Sequence, residues 1–272
     1  MDTSAAPILE LDGVVAGYGK VTILNGTSFK VARAAITTVI GPNGAGKSTV
    51  FKAVFGLLAV RSGRIVFDGR ETTRCSPREL LELGISYVPQ GRNIFPELTV
   101  LHNLELGGIA AAKGVDMPGR IDAALQRFPI LRQKARAQAS TLSGGQQKML
   151  EIARGLLLEP KLMLIDEPSI GLSPLMVQET FDILADLRSR GVSTLMIEQN
   201  AKSALQHSDY GIVLELGETR LQARADEILA DPRIGQLFLG GGMAETDADE
   251  DPHLATGRAD PPAHSSRPAI PQ

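Results

Sequence analysis

The spacing of apolar positions changes several times along the chain, and each change predicts a different element. From Ile8 to about Phe67 short β-rich runs are punctuated by glycines, and one of them, Ile36 to Ile40 (ITTVI), carries no charged residue. Such runs predict strands. Lys47 to Leu58 then reads as a helix. From Leu98 to Leu157 Ala, Leu, Gln and Arg recur at helical intervals, which predicts a largely helical stretch broken at Gly114, Pro118 and Pro129. Strands return afterwards. Leu162 to Ile165 and Thr194 to Ile197 are continuous apolar runs of the kind that sit in a parallel sheet covered on both faces, with Val177 to Ser189 as the helix between them. The alternation predicts an α/β architecture.

After Leu239 the pattern ends in a segment poor in large apolar residues and rich in acid, proline and glycine. Residues 241–272 are therefore expected to be a disordered tail that solubilises the chain, and residues 1–240 to form the folded part. The 272 residues, 43% apolar and 22% charged, suffice for one or two domains with a proper core. The formal charge of −3 belongs to the tail, whose 32 residues hold six acids against two arginines, leaving the body at about +1. So neutral a body offers no case for broad nucleic-acid binding, and no nucleic-acid partner is expected. Cys75 is the only cysteine, which excludes an intrachain disulfide framework, and His102, His207, His253 and His264 lack metal-ligand spacing. The opening MDTSAAPILELDG shows no basic flank before an apolar run, and nowhere do eighteen apolar residues follow one another. Any membrane work is expected to pass through partners.

Chemistry enters at Gly41 to Ser48, GPNGAGKS, which fits GxxxxGKS between the ITTVI strand and the helix that follows. Glycines there let backbone N–H groups turn inward around phosphate oxygens, the helix N-terminus adds its positive end, and Lys47 places a charge on the outer phosphates. Ser48 can offer a hydroxyl to Mg2+. The plainer alternative is a glycine-rich turn with a solvated lysine. Downstream, KLMLIDE ends a buried strand in two acids and Pro168 stops it. Strand-end carboxylates face the ligand crevice of an open α/β sheet, so Asp166 is suited to hold Mg2+ through its water shell and Glu167 to orient and deprotonate a water. A solvated Asp-Glu-Pro turn is the alternative.

Leu142 to Gln146 reads LSGGQ and leads into QKMLEIARGLLLEP and the carboxylate strand. Here the chain resembles the ABC transporter ATPases over nearly all of Ile8 to Gly240. The resemblance implies a P-loop NTPase core with an antiparallel β subdomain and a helical signature subdomain at about 91–157. It implies that Gly41, Pro42, Asn43, Gly44, Ala45, Gly46, Lys47, Ser48 and Thr49 hold the phosphates of ATP. Ser143, Gly144 and Gly145 would hold the γ-phosphate of ATP bound to the opposite subunit. Seen as plain chemistry, Ser-Gly-Gly at a helix start is an anion nest or simply an N-cap. Tyr18 in AGYGK resembles the aromatic that stacks on adenine, a strand-end packing role being the alternative. Gln90 in YVPQGRNIFPELTV matches the amide that senses Mg2+ and the attacking water, and Gly91 to Glu97 the loop that meets a membrane partner.

Two departures narrow the resemblance. Ser173 stands where many relatives carry aspartate, and Gln199 in LMIEQN where most carry histidine. An amide cannot shuttle protons but can donate to a γ-phosphate. With EPSIGLSP, IEQNAKSAL and ADEILADPRIGQLFLG, these departures look like the branched-chain amino acid importer ATPases. That likeness implies a second ABC ATPase subunit, identical or related, two integral-membrane permeases, a periplasmic solute-binding protein, and a place on the cytoplasmic face of the membrane. An importer of urea or short-chain amides is the alternative within this class. A soluble ABC ATPase of DNA repair would place a long coiled coil between the phosphate loop and the signature, but only 96 residues separate Lys47 from Ser143. Translation-type relatives usually carry two such domains in one chain, and a pure nucleotide-binding scaffold would not need Glu167.

Overall fold

The computed structural model describes residues 6–111 and 114–232; the acidic tail expected after Leu239 lies outside them. The strands, in chain order, are β1 (Leu9–Tyr18), β2 (Val21–Val31), β3 (Ile36–Ile40), β4 (Val60–Phe67), β5 (Arg70–Glu71), β6 (Ile85–Val88), β7 (Leu162–Asp166), β8 (Ser193–Ile197), β9 (Tyr210–Glu215) and β10 (Glu218–Arg224). The helices are α1 (Lys47–Val54), α2 (Pro77–Leu83), α3 (Val100–Gly107), α4 (Met117–Arg127), α5 (Pro129–Gln133), α6 (Gly144–Leu156), α7 (Pro174–Ser189), α8 (Ala201–Gln206) and α9 (Ala225–Ala230).

Two sheets result. An antiparallel sheet runs β2-β1-β4-β5, and a six-stranded sheet runs β10-β9-β3-β8-β7-β6. In the second, β3 pairs in parallel with β8 and β9, β7 with β6 and β8, and only the β9–β10 hairpin is antiparallel. Period-two alternation sorts the apolar runs between two cores. Leu162, Leu164, Leu195 and Ile197 pack toward α1 and the antiparallel sheet, whereas Met163, Ile165 and Met196 pack toward the helices of the 100–156 stretch. Burial on both faces is why these strands read as unbroken apolar runs. In β1 the inward positions shift from Leu9 and Leu11 to Val14 and Ala16, because the register slips between Leu11 and Val14.

Three helix limits differ from the sequence expectation. The first helix stops at Val54 instead of Leu58: Gly56 turns the chain at φ 69, and a Cβ there would lie 2.5 Å from the Cys75 carbonyl oxygen. Pro118 does not break a helix but lies in the first turn of α4, behind Asp116, whose carboxylate accepts from Gly119 N at 3.0 Å. A proline in the first turn forfeits no helical hydrogen bond. For the same reason α7 begins at Pro174, ahead of Val177.

Candidate functional site

The central strand β3 delivers the chain into the turn 41–46. A side chain at Gly41 would place Cβ 2.0 Å from the carbonyl oxygen of Leu214 in neighbouring β9, so only glycine lets the turn leave the sheet there. The hairpin beyond β9 holds the back of the turn, Gly217 N donating to Ala45 O at 2.9 Å. Pro42, Asn43 and Gly44 are exposed, and Ala45, Gly46 and Thr49 are buried. Gly46 offers no side-chain cap to α1, whereas α2, α3 and α6 are capped by Ser76, Thr99 and Ser143. The first amides of α1 are thereby left for an external acceptor. Lys47 folds over the same turn, its Nζ donating to Gly41 O at 2.8 Å and Pro42 O at 3.0 Å. Burial pushes the Lys47 ammonium below the usual lysine range, and the charges of Glu167 and Asp166 pull it back.

Those two acids come from the end of β7. Asp166 is 2% exposed, and its Oδ1 has no hydrogen-bond partner. Burial pushes its carboxyl above the ordinary range, while hydrogen bonds from the Ser48 and Tyr87 hydroxyls act the other way. A buried carboxylate oxygen without a partner, beside a serine hydroxyl, suits a hard cation that takes few protein oxygens and shares the rest with substrate and water. No group of three or more His, Cys, Asp or Glu that could hold a metal ion occurs among the described residues. Glu167 continues the strand pairing, its N donating to Ile197 O at 2.9 Å, and its φ of 50 is one that few non-glycine residues adopt. Gln90, beyond β6, donates Nε2 to Glu167 Oε2 at 2.6 Å. Lys47, Ser48, Gln90, Asp166 and Glu167 are thus brought together.

Ser143 to Gly145 are not part of that group: among the described residues no hydrogen bond joins them to 41–49. They open α6 in a capping box, with Gln146 N donating to Ser143 Oγ at 3.3 Å and Ser143 N to Gln146 Oε1 at 3.2 Å. Farther along α6, a buried Lys148–Glu151 pair at 2.6 Å holds the segment after Gln90. Asn93 N donates to Glu151 Oε1 at 2.6 Å, and Arg154 donates to Asn93 O at 2.5 Å. Gly91, Gly144 and Leu172 meet in a cavity of about 280 Å³.

Tyr18 is 46% exposed at the end of β1, with Lys52 of α1 5.5 Å from its ring centre, so its ring is open to a ligand and not packed in the core. Gln199 is exposed on a backbone whose N donates to Glu198 Oε2 at 3.2 Å. Glu198 itself is a buried acid that sequence reasoning passed over. The available signal was the one that marked Asp166, an acid closing an apolar strand.

The family model described as "ABC transporter" matches residues 24–170. The chain is 39% identical over 234 residues to the high-affinity branched-chain amino acid transport ATP-binding protein BraG of Pseudomonas aeruginosa, covering 86% of this chain and 100% of that one. It is 38% identical over 226 residues to a probable branched-chain amino acid transport ATP-binding protein, LivF, of Archaeoglobus fulgidus, covering 83% and 95% of the two. Among solved structures, the ADP conformation of an ATP-binding cassette of an ABC transporter matches with a TM-score of 0.79 at 30% identity, over 87% of this chain and 100% of that one.

Proposed function

Because this chain belongs to the ABC transporter ATP-binding proteins, a family of ATP hydrolases, we propose that its hydrolysis drives uptake of branched-chain amino acids through two integral-membrane permeases fed by a periplasmic binding protein. The names of the relatives support the solute class. No helix among the described residues is long and apolar enough to cross a membrane, in keeping with attachment at the cytoplasmic face through those permeases. The observation that carries the catalytic reading is the 2.6 Å bond from Gln90 to Glu167 at the open end of α1.

In this reading ATP lies with its adenine on Tyr18 and its phosphates along Gly41 to Thr49. Charge developing on the γ-phosphate is met by Lys47 and by the uncapped amides of α1. A Mg2+ ion, held by Ser48, Asp166 and Gln90, would neutralise phosphate charge when bound. Glu167 takes a proton from the attacking water while Gln90 fixes the carboxylate's orientation. Gln199 donates to the γ-phosphate and moves no proton. Ser143, Gly144 and Gly145 of a second subunit close over the same phosphate. The Glu151–Asn93 and Arg154–Asn93 bonds make the segment after Gln90 move with α6, which carries phosphate occupancy toward the permease-facing loop 91–97. Glu167→Gln should lower phosphate release by roughly two to four orders of magnitude with ATP binding retained. Near wild-type turnover would overturn the assignment. Proteoliposomes holding the permeases with this chain on the inner face, and given the binding protein and leucine outside, should accumulate leucine only when ATP is enclosed.

A further inference from the structure

Glu198 is 3% exposed and pairs with no Lys, Arg or His among the described residues. Its bonds go elsewhere. Oε1 accepts from Ser169 N at 2.8 Å, and Oε2 accepts from Ser169 Oγ at 2.8 Å and from Gln199 N at 3.2 Å. A buried carboxylate without a countercharge is costly, and burial indeed pushes this one above the ordinary range. A glutamine in its place would turn its NH2 toward one of the two backbone N–H groups, so the converging amides of Ser169 and Gln199 call for a carboxylate, while the Ser169 hydroxyl can rotate to suit either side chain.

What it holds is the loop that follows Glu167. The β7–β8 pairing ends at Asp166 opposite Ile197, and Glu167 N adds one more rung to Ile197 O at 2.9 Å. Two residues on, Glu198 grips Ser169 through both its amide and its hydroxyl. Glu167, at φ 50, is thus bracketed by a bond at its own amide and by the Ser169 clamp; strained backbone of this kind persists only where the surroundings over-determine it. The same carboxylate fixes the backbone entry to Gln199.

We propose that Glu198 is a positioning residue for hydrolysis, locking the loop after Glu167 and the Gln199 segment into one unit so that the base and the γ-phosphate donor keep a fixed relation. This rests on the assignment of Glu167 as the base. In the full chain saturated with MgATP, Glu198→Gln should lower turnover about tenfold or more while the dissociation constant of a fluorescent ATP analogue changes less than about threefold. Ser169→Ala should lower turnover about threefold, Ser169→Thr should restore it by keeping the hydroxyl, and adding Ser169→Ala to Glu198→Gln should cost less than the product of the single effects. If Glu198→Gln does not fold, as judged by loss of a cooperative melt, the Ser169 pair decides. Wild-type turnover in Ser169→Ala and in a folded Glu198→Gln, or losses of turnover matched by equal losses of binding, would overturn the proposal. Glu167→Gln run alongside separates the two ideas: if it turns over normally the base assignment has failed, and if it is inactive while the clamp variants are unaffected only the clamp has failed.

Discussion

Two glycine-rich turns open helices in this chain, and their ends are finished in opposite ways. The turn before α1 has no side-chain cap, and its lysine folds back onto the turn's own carbonyls. The turn before α6 is closed by a reciprocal capping box, with Lys134 adding a third contact to Gln146 at 3.0 Å. The first therefore leaves amides unsatisfied until an anion arrives. In the second Ser143 has already accepted a bond, and its hydroxyl hydrogen remains free to donate. In the proposed mechanism the contrast puts nucleotide affinity at the first turn and a late contact, made when a second subunit closes, at the second.

The widest break in that contrast should come from Lys47→Ala, which removes the charge at the first turn. Nucleotide affinity should fall by about two orders of magnitude, the cost of truncating one partner of a desolvated charge pair, roughly 3 kcal/mol. Titration with a fluorescent ATP analogue checks it. Ser143 sharpens the other side. Ser143→Ala should leave affinity for the isolated chain within about twofold, lower turnover about tenfold, and cost about 1 kcal/mol of stability through the lost cap. Ser143→Asp keeps a cap acceptor but sets a carboxylate against phosphate, so it should be more stable than the alanine variant and slower in turnover. A thermal melt beside a phosphate-release assay separates the two.

The smallest effect concerns stability alone. Asp166 titrates above the ordinary aspartate range, so the folded chain holds a proton that the unfolded chain releases. Its destabilisation is absent below the ordinary value of about 4, grows as pH rises toward the raised value, and is complete above it. Asp166→Asn should therefore melt higher than wild type at neutral pH, with the gap closing as pH falls from the raised value to the ordinary one.

What could be read in advance followed from local pattern. The runs at 36–40, 162–165 and 194–197 read as strands because burial on both faces excludes charge from them, Thr37, Thr38 and Thr194 being their only polar residues. What could not be read depends on distant neighbours. The end of α1 is set by the Cys75 carbonyl lying against Gly56, and the register slip in β1 by its pairing with β2. At the site, GKS and the paired acids announce themselves because their chemistry is contiguous. The clamp at Glu198 does not, since Ser169 and Glu198 meet only when β7 and β8 lie side by side. The Lys148–Glu151 pair is similar: its spacing suggests a surface helix pair, yet the side chains are 7% and 4% exposed.

The central claim is that a nucleotide is shared between the 41–48 turn of one subunit and the Ser143 turn of another. Mixing two impaired full-length variants, Lys47→Ala and Ser143→Asp, at an ATP concentration too low to fill the Lys47→Ala turn, tests it most directly. A mixed pair regenerates one site in which both turns are intact, so phosphate release should rise well above the sum of the two variants assayed apart. Activity that stays at that sum, while each variant still pairs with wild type, would show that each chain completes its site from its own residues.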